Sequence, residues 1–518
     1  MNTSKALQMA ILVVVLLFVS LYLGIGAATA QGEVLVWVGL GVGIGTLLIL
    51  GNRVWLLIPA VMLSSLFFRW IPGNLTLMEV ASLAFVGYSS FLFLARKITF
   101  RVSFEGIHIG VILMLLLVVQ VYLRNPVGLS ITGSANVGAR PYASFGLGLA
   151  VCLFLSWLVV PVAEIKKART AMVAGGIISV VLELIARIPG MALPMTIAFG
   201  TSNMSFAEGS TSGVLDEGQA TRNDAGAAIG KTLSAILVSY VSPLGALVKA
   251  IWLPVLILSI AGGLISGFRS KLMVVLLTYA FGVYYWNGFK GVFLSALIGI
   301  GAVLALAIIN LGHPLPPNVQ RSLSFLPGSW EQRYLDDTES STDWRIEMWE
   351  EVLFTDNWIK NKILGDGLGF TKEEHALQES LALSHYKGGP GIQGWDSQRA
   401  SILVNGDYHS GPVSMVRVVG YVGMVIFTIA IIGLGISAHR YLRLMRQSPY
   451  FGIVCIFCIP MVWHPLFYLL IFGGFAHDVP YFFLHVGLLC LLRKSLPLPG
   501  EEEDESLESE MAPENGAA

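Results

Sequence analysis

Apolar stretches of about twenty residues, parted by short polar breaks, recur along most of the chain. A helix needs roughly twenty such residues to cross the hydrocarbon of a bilayer. By that length the pattern predicts spans at 7–28, 34–51, 54–68, 77–95, 106–123, 141–163, 170–186, 228–246, 250–267, 272–287, 291–311, 413–437, 450–467 and 475–492. The expected fold is an all-α polytopic membrane protein with about 14 transmembrane helices (12–14), the region 228–290 having the least certain count. Two segments interrupt the rhythm: residues 188–227, rich in Gly, Ser and Thr, and residues 312–412, too long for a mere connection. The organisation read from this is a membrane domain at 1–311 that includes the loop 188–227, a large loop at 312–412, three further spans within 413–494, and an acidic tail at 495–518.

Composition agrees with this. Of 518 residues 55% are hydrophobic and only 13% charged, with a mean hydropathy of +0.72. Soluble domains carry about 25% charged residues, so a soluble enzyme is excluded. The net charge of -1 says nothing about partners, because in a membrane protein the distribution of basic residues between the two faces carries the information. Alternate connections hold Lys5, Arg53, Arg96, Lys97, Arg101, Lys166, Lys167, Arg169, Lys249, Lys290, Arg440, Arg443, Arg446, Arg493 and Lys494. The opposite connections hold only Arg69, Arg124, Arg140, Arg187, Arg222, Lys231, Arg269 and Lys271. The first set marks the cytoplasmic face, so both termini are expected inside and both long loops outside. The apolar run at the N-terminus is expected to be a retained helix rather than a cleaved signal, since a second span follows at once. Cys152, Cys455, Cys458 and Cys490 all fall in apolar runs and read as buried thiols. "EEEDESLESE", from Glu501, reads as a solvated tail.

The large loop has the marks of structure. In "STDWRIEMWEEVLFTDNWIKNKILGDGLGF", residues 341–370, Ile346, Trp349, Val352 and Leu353 recur at helical spacing, with Ser340 and Asp343 as a capping box at the helix start. Arg345 stands one turn before Trp349, and Gly365, Gly367 and Gly369 form a tight turn further on. No G-x-x-x-x-G-K-[ST] is present, so nothing points to a nucleotide-driven machine.

Six arginines against two lysines on the outer face raise a question of chemistry. A guanidinium offers a planar fork matched to phosphate oxygens, whereas cations at helix ends also serve simply to anchor them at the headgroups. Anchoring is the expectation for Arg69, Arg124 and Arg140; phosphate binding is the candidate role of Arg269 and Arg345. His409 lies where the large loop meets a span, and a neutral imidazole there is suited to take a proton from a hydroxyl. His313, at the other end of the loop, serves as a control. Asp366 and Asp407 are alternative bases, and Trp344, Trp349, Trp358 and Trp395 are candidates for stacking on sugars, most of them being expected in the packing of the loop.

His409-Ser410, nine residues, then Gly420-x-x-Gly423 resembles the H-[NSQ]-x9-G-x-x-[GTY] pattern of bacterial O-antigen ligases, whose superfamily includes the O-antigen polymerases and some protein O-oligosaccharyltransferases. Arg345 to Trp349 resembles the R-x-x-x-W helix of their large periplasmic loop. Gly267-Phe268-Arg269-Ser270 is a loose match to their Ser-Arg, and Arg222 to the arginine before their Asn-rich stretch, though the usual Asn-Pro-Asn is missing. The resemblance covers residues 220–440 or so, and the two N-terminal helices look like additions.

This resemblance implies a GT-C-like fold with a partly helical periplasmic loop, in a bacterial inner (cytoplasmic) membrane. It implies an enzyme that moves a glycan from undecaprenyl pyrophosphate to an acceptor hydroxyl, either a growing glycan or a lipid A-core, without metal or cofactor and without nucleic acid. His409 and Arg345 would be catalytic, and Arg269, Arg222, Trp349, Ser410, Gly420 and Gly423 would bind pyrophosphate or substrate. Ligation, polymerisation and protein O-glycosylation share this chemistry. A lipid-linked glycan transporter is the rival from another class. Against it stand one mid-span acid, Glu183, no internal repeat, and a loop that transport leaves unexplained.

Overall fold

The computed structural model describes residues 32–64, 66–68, 75–128, 137–188, 200–201, 223–385 and 402–499. The predicted span at 7–28, together with Arg69, Arg222, Trp395 and the acidic tail from residue 500 on, lies outside these residues. Helix dominates, and seven described helices are long and apolar enough to cross a membrane. The main helices are α1 Gly32–Leu50, α2 Leu77–Leu94, α3 His108–Arg124, α4 Arg140–Trp157, α5 Val162–Ile185, α6 Asp224–Tyr240, α7 Leu253–Ile265, α8 Arg269–Gly312, α9 Pro317–Leu323, α10 Gln332–Phe354, α11 Lys372–His385, α12 Gly411–Leu444, α13 Phe451–Leu470 and α14 Phe475–Ser495. They form two compact units, one of residues 1–98 with 171–219 and one of residues 99–170 with 220–518.

The smaller unit departs from the expected pattern at one place. Residues 54–68 do not make a spanning helix: α1 passes through a 3-10 turn, Gly51–Leu56, into a short helix, Leu57–Val61, and the chain then becomes a strand, Leu66–Phe68. That strand pairs antiparallel with Leu75–Thr76 on one side and Gly200–Thr201 on the other, a patch too small to change the fold class. Thr76 and Glu79 then form a capping box that starts α2, which satisfies two amide donors that a helix start leaves orphaned.

In the larger unit α4 packs on α14, α6 on α7, and α12 on α13. The α6–α7 approach depends on glycine: a Cβ at Gly226 would stand 2.9 Å from the Gly262 carbonyl, and one at Gly262 would stand 2.8 Å from that of Gly226. Small residues let helix backbones approach closely where no hydrophobic effect drives helices together. All four cysteines are buried and free.

Two long helices are not straight. Gly288 in α8 has φ 72 and ψ -168, and Gly420 in α12 has φ 71 and ψ -179, a region that only glycine enters readily. A straight helix would hold Leu272 and Leu306 about 51 Å apart, yet both pack into one cluster with Val319, Leu323 and Trp330. α8 therefore folds back at Gly288, and its two arms correspond to the predicted spans 272–287 and 291–311. α12 bends likewise at Gly420. Gly411 lies against the Tyr468 ring, and Phe427 meets that ring at 5.4 Å, where a straight helix would part residues 411 and 427 by about 24 Å.

The large loop is partly helical. α10 begins at Gln332 and runs without interruption through Ser340, so the capping box expected there is not a helix start. Met348 and Val352 on α10 pack with Trp358, Ile359, Leu403, Val404, Tyr408, Val413 and Val416 into a core that joins the loop to the start of α12.

Candidate functional site

The turn at residues 360–368 rests on the elbow at Gly420. A break in a helix frees carbonyls before it and amides after it, and all of these need partners. Asp366 N donates to the Arg417 carbonyl at 2.8 Å and Gly367 N to the Val418 carbonyl at 3.1 Å. In return, Tyr421 N donates to the Lys362 carbonyl at 2.8 Å and Val422 N to the Ile363 carbonyl at 3.3 Å. The loop therefore completes the helix that is broken to receive it. A Cβ at Gly420 would collide with the Ile363 carbonyl, and one at Gly365 with the Val418 carbonyl. Gly423 lies one turn beyond the break, where a Cβ would crowd the Val419 side chain.

Side chains of α3 and α4 hold the same turn from the other side. The Arg124 guanidinium donates to the carbonyls of Leu364 and Gly365 at 2.9 and 2.8 Å. Gln120, Asn125 and the Tyr142 hydroxyl bond to Leu364, Asp366 and Leu368 respectively. Arg124, expected to anchor a helix end, also fastens the glycine turn. Asp366, the other candidate base, fixes the turn as well, its two carboxylate oxygens accepting the amides of Lys360 and Asn361 at 2.7 and 2.9 Å. Arg417, which no local motif marks, is buried beneath the turn with its guanidinium 4.1 Å from the centre of the Phe370 ring.

His409 stands just before α12. Its φ of 51 places it in the left-handed region, which histidine enters more readily than bulky or β-branched residues but still at a cost. Two bonds fix the residue before it. Trp349 Nε1 donates to the Tyr408 carbonyl at 2.7 Å, and Tyr408 N donates to Ser414 Oγ at 3.1 Å. The imidazole lies between two rings, Trp344 of α10 at 6.2 Å and Phe472 of the α13–α14 turn at 5.0 Å. Ser410 is the residue before the first turn of α12, without a side-chain capping bond.

Beside this border lies a buried pair that no local motif announces. His464 Nε2 meets Asp478 Oδ1 at 3.0 Å, and Asp478 Oδ2 accepts Gly474 N at 2.8 Å. Asp478 is almost fully buried in the first turn of α14, so Glu183 is not the only acid within a predicted span. An ionisable residue in an apolar span was the available signal, but Asp478 lies close enough to the span's end to read as a boundary residue. The Tyr481 ring stacks on His464 at 3.7 Å and on His485, also at 3.7 Å. A Cβ at Gly474 would stand 2.7 Å from Asp407 Oδ1, so both carboxyl groups flank this one glycine. Burial above all, with Asp478 adding to it, lifts the Asp407 carboxyl above the ordinary carboxylate range; His477 opposes the shift.

The structure thus gathers His409, Ser410, Trp349 and Asp407 at the loop junction, and sets Gly420 and Gly423 further along α12, at the elbow that receives the turn. Arg345 is on α10 next to Trp344, half-buried. Arg269 begins α8 in the neighbourhood of the separate cluster around Leu272. Trp349 and Trp358 both spend their indole N–H groups within the fold, the latter on Glu351 at 2.7 Å. His313 ends α8 and is exposed. No protein-family model matches the chain, and comparison with curated proteins gives no match either.

Proposed function

We propose that this protein is a glycosyltransferase of a bacterial inner membrane, with both termini cytoplasmic and the loop periplasmic, related to the O-antigen ligases and polymerases. It takes a glycan from undecaprenyl pyrophosphate and passes it to an acceptor hydroxyl. The acceptor oxygen forms a bond to the anomeric carbon as the bond from that carbon to the pyrophosphate oxygen breaks. His409 takes the acceptor's proton or hydrogen-bonds the pyrophosphate, while Arg345, with Arg269 and Arg222, meets the negative charge growing on the leaving group. The observation that carries this reading is the placement of His409: a strained backbone, next to a Tyr408 pinned by Trp349 and Ser414, sets an imidazole at the junction of the loop and a span. Strain held by its surroundings clusters at functional sites.

Transport of a lipid-linked glycan is the second reading. The broken helices at Gly288 and Gly420 and the buried His464–Asp478 pair favour it, since transporters use both devices. Proteoliposomes carrying undecaprenyl-pyrophosphate glycan and a pool of acceptors separate the two. A transferase releases undecaprenyl pyrophosphate and adds mass to one acceptor; His409→Ala abolishes release, His313→Ala leaves it near normal, and Arg345→Lys fails because a point cation does not replace the guanidinium fork. Movement of intact lipid-linked glycan across the bilayer, with no release, would sink the transferase reading.

A further inference from the structure

At the ends of α12 and α14 away from the loop junction lies a cavity of about 720 Å³, lined by Val162, Arg440, Tyr441, Arg493, Lys494 and the chain from Ser495 to Leu498 among others. Its lining is basic. Arg440 and Lys494 are exposed. Arg493 pairs with Glu105 at 2.9 Å and also donates to the Ser437 carbonyl, so it is partly offset. Lys494 donates to the carbonyls of Arg101 and Ser156.

The same chain that walls this cavity leads directly into its most acidic stretch. Leu498 lines the cavity, and Glu501 follows three residues later, a reach of about 10 Å in extended chain. Residues 501–510 contain seven carboxylates and no cation. A segment tethered this closely meets its site at an effective concentration on the order of millimolar. Single exposed ion pairs contribute little, but several carboxylates meeting several cations in a recess act as a network.

We propose that the acidic run Glu501–Glu510 docks into this basic cavity of its own chain, bridging the ends of α12 and α14 and covering the cations against other polyanions. The inference stands whether or not the glycosyltransferase reading does.

The test uses the full-length protein in nanodiscs of zwitterionic lipid, spin-labelled at Ser506→Cys; the native cysteines are buried. The expected spectrum at low salt is dominated by an immobilised component. That component is lost near 1 M salt, where the screening length falls to about 3 Å, and in Arg440→Glu, a change at an exposed position that leaves monodispersity intact. A label equally mobile in wild type and Arg440→Glu at low salt would overturn the proposal. So would an immobilised component indifferent to both salt and charge reversal. If anionic phospholipid in the nanodisc frees the label at low salt, the cavity is a headgroup site and the tail is not its occupant.

Discussion

Gly288 and Gly420 hold nearly the same backbone conformation and fold a long helix back on itself in both cases, yet their surroundings are opposite. Around Gly288 a Cβ would meet nothing within 4 Å, and the freed Trp286 carbonyl takes a single donor, Arg446, at 3.1 Å. Around Gly420 the space is filled by backbone from a segment about sixty residues earlier, and four main-chain bonds cross the break. One glycine therefore turns a corner, while the other makes a socket. A broken helix becomes a site only when something outside the helix is built to meet its freed groups.

The largest effect is expected where this difference is attacked directly. Gly420→Ala adds a collision with the Ile363 carbonyl to the conformational strain, so the turn at 360–368 should leave its socket, with loop-dependent activity falling at least 100-fold. Hydrogen exchange at the Asp366, Gly367, Tyr421 and Val422 amides reads this out. Gly288→Ala meets strain alone, about 1–3 kcal/mol, and should lower thermal stability while those amides stay protected. Equal loss of protection in both variants would end the distinction.

Arg124→Gln comes next. It removes charge-assisted donors from the Leu364 and Gly365 carbonyls, a loss of about 1.5–3 kcal/mol, and should loosen the turn without unfolding the helices. Trypsin or chymotrypsin cleavage within 355–372 should rise several-fold over wild type. Trp349→Phe is smaller: it deletes one indole bond to the Tyr408 carbonyl, about 1 kcal/mol. Its effect should appear in kcat rather than KM, since the imidazole is displaced while the donor's binding groups remain.

The smallest effect concerns pH. The folded-state pKa of Asp407 is raised, so between the ordinary carboxyl value of about 3.9 and the folded value the native state binds more protons than the unfolded one. Its contribution to stability is present below that ordinary value and is lost as pH rises through the folded one. Asp407→Asn should flatten this slope in thermal unfolding measured across the acidic range. An unchanged slope would assign the pH dependence to other groups.

Much of this was legible in the sequence, for reasons that differ from residue to residue. Apolar runs of bilayer length announce helices because nothing else satisfies the backbone in lipid, and the expected break near residue 290 fell beside the true one at Gly288. His409 and Gly420 could be picked out because a histidine at a polar border and a glycine inside an apolar run are both locally out of place. Arg124, Arg417 and Asp366 could not be assigned, because each is explained by a partner distant in the chain or by the shape of a turn. The third predicted span failed because apolar content alone does not keep residues 54–68 helical.

The sequence by itself determined that this is a helical membrane protein, where most of its helices begin and end, and which residue stands at the loop's return to the membrane. Helix periodicity and hydropathy are local properties, written within a few turns of chain. Only the tertiary structure decided that the glycine turn plugs the elbow of α12, that Trp349 ties down the residue before a left-handed His409, and that His464 finds Asp478 beside it. Those relations join segments whose spacing in sequence carries no mark of their meeting, because pairing across a fold is set by which backbone and side-chain groups are left unsatisfied once the helices have packed.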